Sequence, residues 1–328
     1  MDLTTNYLGL TLKNPVVPSA SPLSKHLDTA KRLEDAGASA LVMYSLFEEE
    51  VRQDDDMLDE YFFHQDIGHV EASSYRPLPD DHPSAIDRYI EQIHKLKESL
   101  EIPIVASLNG VTPGGWTEHA QELQIAGADA LELNIYHVSA DISETGKQVE
   151  KRYIEVLKAI KEKVTIPVVV KLSPHFSSVA NMVYKLEEAG ADGVALFNRF
   201  YQPGIDLDTL EVTRELSLST SADALLSMRW IAILYNQVKL TLAATGGIHT
   251  SDDAMRLLLA GADVTHLCAA LLQNGPGYVA GILSGMERWM ELYEYESVDQ
   301  LKGSVCRDHA SDPSAYERAN YIEMLKQY

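Results

Sequence analysis

Apolar and polar positions follow one another along this chain in a two-beat rhythm, a short apolar run and then an amphipathic stretch. The clearest run is Val168-Val169-Val170-Lys171-Leu172-Ser173-Pro174, where β-branched residues suited to a packed strand give way to a lysine. Apolar on both faces, it predicts a parallel strand covered by helices. Similar runs fall at 14–21, 40–46, 103–110, 130–137, 193–198, 240–248 and 263–271. Amphipathic stretches at 26–36, 85–100, 116–126, 147–163, 179–189, 222–237, 251–260 and 277–292 predict the intervening helices. Eight βα units over roughly 280 residues predict an α/β fold, a (β/α)8 TIM barrel; a doubly wound sheet usually has fewer such units.

Four features depart from the rhythm. Residues 3–15 alternate and turn at Gly9, which predicts a hairpin ahead of the first strand. Residues 47–82 form an acidic insertion carrying Tyr61, Phe62, Phe63 and Tyr75, to be read either as a solvated loop or as a lid or partner surface. Residues 199–221 form a second insertion. The expected domain division is one barrel over 1–305 and a charged tail over 306–328. The segments Ala126-Gly127-Ala128-Asp129, Ala189-Gly190-Ala191-Asp192 and Ala260-Gly261-Ala262-Asp263 each precede a strand, and Ala36-Gly37-Ala38 precedes another. They predict a repeated helix-to-strand connection at the barrel bottom, with no chemistry of its own.

Composition narrows the partners. The 328 residues carry 27 Lys+Arg against 49 Asp+Glu, a formal net charge of −22. Such a chain lacks the basic face that nucleic acid or an anionic membrane requires, so a small-molecule substrate is expected instead. Two cysteines, Cys268 and Cys306, make neither a disulfide framework nor an unaided iron–sulfur site. No stretch reads as a signal peptide or is long enough to span a bilayer, and a soluble protein of the cytoplasm is expected.

In a βα-barrel the C-terminal strand ends face the active site. Here those ends offer Ser19 and Ser21, Tyr44 and Ser45, Ser107 and Asn109, Asn134 and His137, Lys171 and Ser173, Asn198, and Thr245-Gly246-Gly247. The set mixes a cation, amides, hydroxyls and an imidazole. It lacks the clustered His and Asp of a metal hydrolase, so no metal is expected. Thr245-Gly246-Gly247-Ile248 lets the backbone turn tightly at the usual phosphate position of this fold.

These motifs, in this order on these strands, resemble those of the dihydroorotate dehydrogenases, FMN-dependent βα-barrels. The resemblance runs from about residue 3 to 305. It rests on Asn14-Pro15, Leu131-Glu132-Leu133-Asn134, Val170-Lys171-Leu172-Ser173-Pro174, Asn198, Thr245-Gly246-Gly247-Ile248, and Ala270-Leu271 followed by Gly275-Pro276. It implies FMN as cofactor, with Ser19, Ala20 and Ser21 under the flavin ring and Tyr44, Ser45, Ser107 and Asn109 at neighbouring strand ends. Lys171 is implied beside the flavin pyrimidine ring, where a cation balances the charge of the reduced form. Asn134 and Asn198 are implied around flavin and substrate; Thr245, Gly246, Gly247, Cys268 and Ala269 are implied on the phosphate side. Cys268 itself reads as a packing residue.

The departures are local. Where the family has Asn-x-Ser-Cys-Pro-Asn, this chain has Asn134-Ile135-Tyr136-His137-Val138-Ser139. The resemblance therefore implies His137 as the base that takes the C5 proton of dihydroorotate while a hydride leaves C6 for flavin N5. His137 as mere space-filler is the other reading of that position. Ser139 stands for a substrate asparagine, Tyr44 for a lysine, and Leu216-Ser217-Leu218-Ser219-Thr220 for a glycine-rich phosphate approach. No hydrophobic N-terminal extension is seen, which suits the soluble class. In that class the acceptor is a small molecule or a flavin and iron–sulfur partner subunit; an electron-transfer partner and a homo-oligomer are each compatible with the chain. Three alternatives remain open: an FMN oxidoreductase for another substrate, a non-catalytic FMN-binding scaffold, and a phosphosugar-binding lyase or isomerase.

Overall fold

Each apolar run becomes one strand of a single parallel sheet. A hairpin comes first, with β1 (Thr5–Tyr7) antiparallel to β2 (Leu10–Leu12). The sheet comprises β3 (Val16–Pro18), β4 (Leu41–Phe47), β5 (Ile104–Asn109), β6 (Ala130–Asn134), β7 (Val168–Leu172) and β8 (Gly193–Leu196). The second insertion then forms a small hairpin of β9 (Gly204–Ile205) and β10 (Val212–Thr213), and β11 (Thr241–Thr245) and β12 (Val264–Leu267) complete the sheet. The strand order is β3-β12-β11-β8-β7-β6-β5-β4. Across the remaining seam, Ser39 donates to the Val16 carbonyl through its backbone N–H at 3.1 Å and its hydroxyl at 2.9 Å. The sheet so nearly closes into a (β/α)8 barrel. The computed structural model describes residues 1–52, 83–110, 113–213, 216–317 and 325. The acidic insertion lies outside the described residues from 53 to 82.

The eighth strand stops at Leu267 instead of Leu271, because Ala269–Asn274 coil into a short helix. Ala, Leu and Gln are strong helix formers, and a strand end has no neighbour to hold them extended. No helix among the described residues is long and apolar enough to cross a membrane.

The two-residue period of the strands sorts their side chains. Val16, Leu41, Ile104, Leu131, Val168, Val194 and Leu242 face the helices in one apolar cluster. Val17, Val42, Val105, Ala130, Val169, Ala195, Ala243 and Val264 face inward in another, closed below by Tyr7, Leu8 and Leu12 of the hairpin. Two residues further along each strand, the inward set changes character to Ser19, Ser107, Glu132, Lys171, Phe197, Thr245 and His266. The barrel thus has an apolar layer below and a largely polar layer above.

The repeated Asp-ending turns prove to be clamps. Asp129 accepts from the Ile104 N–H at 2.7 Å and pairs with Lys97 at 2.7 Å. Asp192 does the same with Val168 N–H and Lys161, and Asp263 with Leu242 N–H and Lys302. Each carboxylate ties the start of one strand to the start of its neighbour, at the end of the barrel away from the mouth. Beyond the last barrel helix, Tyr278–Leu292, the chain crosses back over the barrel's flank. Gly303 and Val305 N–H donate to the Leu258 and Leu259 carbonyls, Arg307 N–H donates to the Ala232 carbonyl, and Cys306 is buried.

Candidate active site

The polar layer forms the floor of a cavity of about 720 Å³ at the barrel mouth. It takes Ser19 and Ala20 after β3, Ser45 from β4, Asn109 from β5, Asn134 from β6 and Lys171 from β7. Asn198, Thr245, Gly246, Gly247, Cys268 and Ala269 complete the expected residues that line it. Ser21, Tyr44 and Ser107 lie outside that lining. A bulge between Val42 and Ser45 gives the inward position to Ser45, whose hydroxyl meets that of Ser107 at 2.9 Å. Tyr44 consequently packs edge-on against Tyr89, 4.9 Å between centroids, with the Lys25 ammonium over its ring.

Two residues of the floor, Glu132 and His266, are absent from the set that strand ends alone suggest. Glu132 is wholly buried, with Oε1 3.4 Å from Lys171 Nζ and Oε2 3.9 Å from His266 Nδ1. Among the described residues neither Glu132 Oε2 nor either His266 ring nitrogen has a hydrogen-bond partner, nor has the hydroxyl of Tyr7, which meets the imidazole edge-on. A signal for them exists: each is a charged or polar residue at an inward position of an otherwise apolar strand, two residues past Ala130 and Val264.

Burial pulls the pKa of His266 from 6.5 down to about 4, against the opposing field of Glu132 and with a smaller downward push from Lys171. The unfolded chain therefore binds a proton below pH 6.5 that the folded chain refuses until about pH 4. Stability from this group is complete above 6.5 and drains away as pH falls to 4, a loss of about 3 kcal/mol. Urea titrations from pH 7 to 4 are expected to show the wild type losing about that much more than His266→Gln. Parallel curves would mean that the folded imidazole titrates normally.

The glycine turn after β11 also lines the cavity. Gly246 and Gly247 have φ of +89° and +75°, a region where only glycine is at ease. A Cβ on Gly247 would lie 2.2 Å from the Ala224 nitrogen, so the turn presses directly on the first turn of the helix Ala224–Leu234. Gly247 N–H donates to Ser219 Oγ at 3.3 Å, and that hydroxyl meets His249 Nε2 at 3.1 Å. At the rim, Arg199 pairs with Asp223 at 3.1 Å.

A second cavity of about 570 Å³ adjoins the first, and Tyr136 and Tyr201 line both. His137 and Ser139 face this smaller one, not the larger. His137 Nε2 is 2.8 Å from Glu144 Oε2, and Arg152 donates to Glu144 Oε1 at 2.6 Å. Hydrogen bonds from His137 and Ser139, joined by Arg152, hold the Glu144 carboxyl down at about 2.

The family model described as dihydroorotate dehydrogenase matches residues 82–290. The chain belongs to the dihydroorotate dehydrogenase family. Among its relatives, the catalytic subunit of dihydroorotate dehydrogenase B (NAD(+)) from Methanothermobacter thermautotrophicus is 25% identical over 308 residues, covering 92% of this chain and 97% of that one. The same-named subunit of Methanocella arvoryzae is 28% identical, covering 89% and 94%, and that of Pyrococcus abyssi 26%, covering 92% and 98%.

FMN dependence is general to the dihydroorotate dehydrogenase family, and the larger cavity fits that cofactor. Lys171 carries three donors, is buried, and meets one carboxylate oxygen at the long distance of 3.4 Å. Its charge is thus only partly answered within the protein, and an electron-rich ring edge would complete it. Asn109 and Asn134 supply amides on the same side, the Gly246-Gly247 turn can approach a phosphate closely, and 720 Å³ is a volume suited to a ligand of this size.

Proposed function

We propose that this protein is an FMN-dependent dehydrogenase that oxidises dihydroorotate to orotate for pyrimidine biosynthesis in the cytoplasm. The observation that carries the reading is Lys171, a buried cation held by Glu132 on the floor of a cavity that the Gly246-Gly247 turn also lines. FMN, when bound, supplies the two-electron sink. Lys171 holds positive charge where the reduced ring accumulates negative charge. Asn134 and Asn198, hydrogen-bonded to each other, orient cofactor and substrate amides, and Ser139 offers a hydroxyl to the substrate. His137 accepts the proton that leaves C5 as the double bond forms. Ser19, Ala20, Ser45, Asn109, Thr245, Cys268 and Ala269 shape the cofactor bed. Residues 1–305 carry this chemistry, and the remaining segment, 306–328, begins packed on the barrel's flank through Cys306 and Arg307. Relatives named as catalytic subunits support an electron-transfer partner subunit for this chain as well.

The test is an anaerobic visible spectrum of the FMN-reconstituted protein before and after addition of dihydroorotate. Flavin bands that bleach are expected. A protein that retains no flavin would refute the cofactor, and bands that persist would refute the substrate.

A further inference from the structure

Outside the cofactor cavity four features stand apart: the exposed apolar hairpin β9–β10, the aromatic-walled smaller cavity, the Asp–Lys clamps, and the carboxylate behind His137. The last bears most directly on chemistry. We propose that Glu144 is a positioning residue: braced by Arg152, it fixes the tautomer of His137, so that the smaller cavity becomes the proton-accepting half of the active site. The proposal rests on the reading of His137 as the base and adds to it the group that makes His137 competent.

The geometry is that of a base held by an orienting carboxylate. His137 Nε2–H donates to Glu144 Oε2 at 2.8 Å, so in the neutral imidazole Nδ1 is the nitrogen free to accept a proton. Because the carboxyl stays ionised down to about pH 2, it acts only as an acceptor, and the imidazole cannot turn the other way round. The second oxygen, Oε1, is claimed by Arg152 at 2.6 Å. Arg152 lies in the helix Gly146–Lys161, whose first turn is capped reciprocally by Thr145 and Gln148. Glu144 immediately precedes that cap, so the carboxylate is anchored at both ends to a rigid element. The carboxylate that lines the cavity itself, Glu150, is engaged by Lys185 at 2.8 Å. Lining the same cavity as His137, Tyr136 and Phe200 lie 4.2 Å apart between ring centroids, with His175 5.5 Å from Phe200. That wall suits a flat ring presented to the imidazole.

A purely structural Arg152–Glu144 ion pair would make the same contacts, so the test must read the imidazole itself. In Glu144→Gln, Arg152 still claims the side-chain oxygen, and the new amide turns its NH₂ towards His137. An NH₂ group can only donate, so Nε2 must accept and the proton moves to Nδ1. Histidine-labelled full-length protein loaded with FMN, observed by long-range ¹H–¹⁵N NMR, is expected to show an Nε2–H tautomer in the wild type and an Nδ1–H tautomer in Glu144→Gln. Glu144→Asp, which keeps the acceptor, should retain the wild-type tautomer and guards against a folding artefact. In rapid mixing, flavin reduction by dihydroorotate should slow at least about 100-fold in Glu144→Gln, with half-saturation little changed. An unchanged tautomer in Glu144→Gln overturns the positioning role. An inverted tautomer with an undiminished reduction rate overturns the role in proton transfer and points instead at His137 as the failed assignment. Loss of flavin from the wild type would mark the separate failure of the cofactor reading, and the same NMR comparison made without FMN would still read the tautomer.

Discussion

Glu132→Ala is expected to destabilise the protein by about 3–5 kcal/mol, because it strands Lys171 as an uncompensated buried charge. Glu132 is fully buried and Lys171 nearly so, and the 3.4 Å pair is the lysine's only ion pair among the described residues. The neighbouring imidazole offers no substitute, since burial keeps His266 neutral at physiological pH. Ser107 donates to the same carboxylate oxygen at 3.4 Å and would lose that partner too. The size of the effect comes from breaking one side of the pair. The double replacement Glu132→Leu with Lys171→Met removes both charges and should recover most of the loss, while flavin reduction fails for want of the cation. Chemical denaturation of the two variants beside the wild type measures this directly. A Glu132→Ala loss below about 1 kcal/mol would mean that water reaches Lys171 and screens its charge.

Gly247→Ala should be nearly as damaging, and its neighbour supplies the control. At Gly247 an added Cβ meets the Ala224 nitrogen at 2.2 Å, the Asp223 carbonyl carbon at 2.8 Å and the Ala224 Cα at 2.9 Å, all of them backbone. A backbone at the head of a helix cannot swing aside as a side chain can. The turn must move, on top of the cost of placing alanine at φ +75°. A loss of about 3 kcal/mol or more is expected, together with loss of bound FMN. At Gly246 the nearest atom to an added Cβ is the Phe197 carbonyl oxygen at 3.9 Å, so Gly246→Ala meets only the conformational penalty of about 1–2 kcal/mol. Thermal unfolding and flavin retention after gel filtration separate the two. Equal behaviour of the two variants would show that helix contact plays no part in shaping this turn.

Much of the site is legible in the amino-acid sequence, for a local reason. Lys171, Asn134 and Asn109 stand at the ends of runs whose length and β-branched composition identify strands, and strand ends in a barrel share one mouth. Gly246-Gly247 is recognisable because two adjacent glycines mark a backbone that must turn where other residues cannot. What resists is whatever depends on register. Tyr44 ends an apolar run, which predicts a place at the mouth; one extra residue in β4, visible only in its pairing with β5, hands the inward position to Ser45. The apolar pattern makes the eighth strand four residues too long, because apolar helix and strand segments look alike over so short a span.

The amino-acid sequence by itself determined the eight βα units, the Gly-Gly turn, the Asp-ending connections and the lysine at the end of β7. Each is written in residues close together in the chain, where periodicity and backbone preference act. Only the tertiary structure decided that Glu132, Lys171 and His266, from three different strands, meet under one cavity, and that His137 faces a second one with Glu144 behind it. Those contacts depend on cross-strand pairing, on barrel closure and on a loop folded back against a helix, and a periodicity of two along one strand carries no information about which residue of another strand stands beside it.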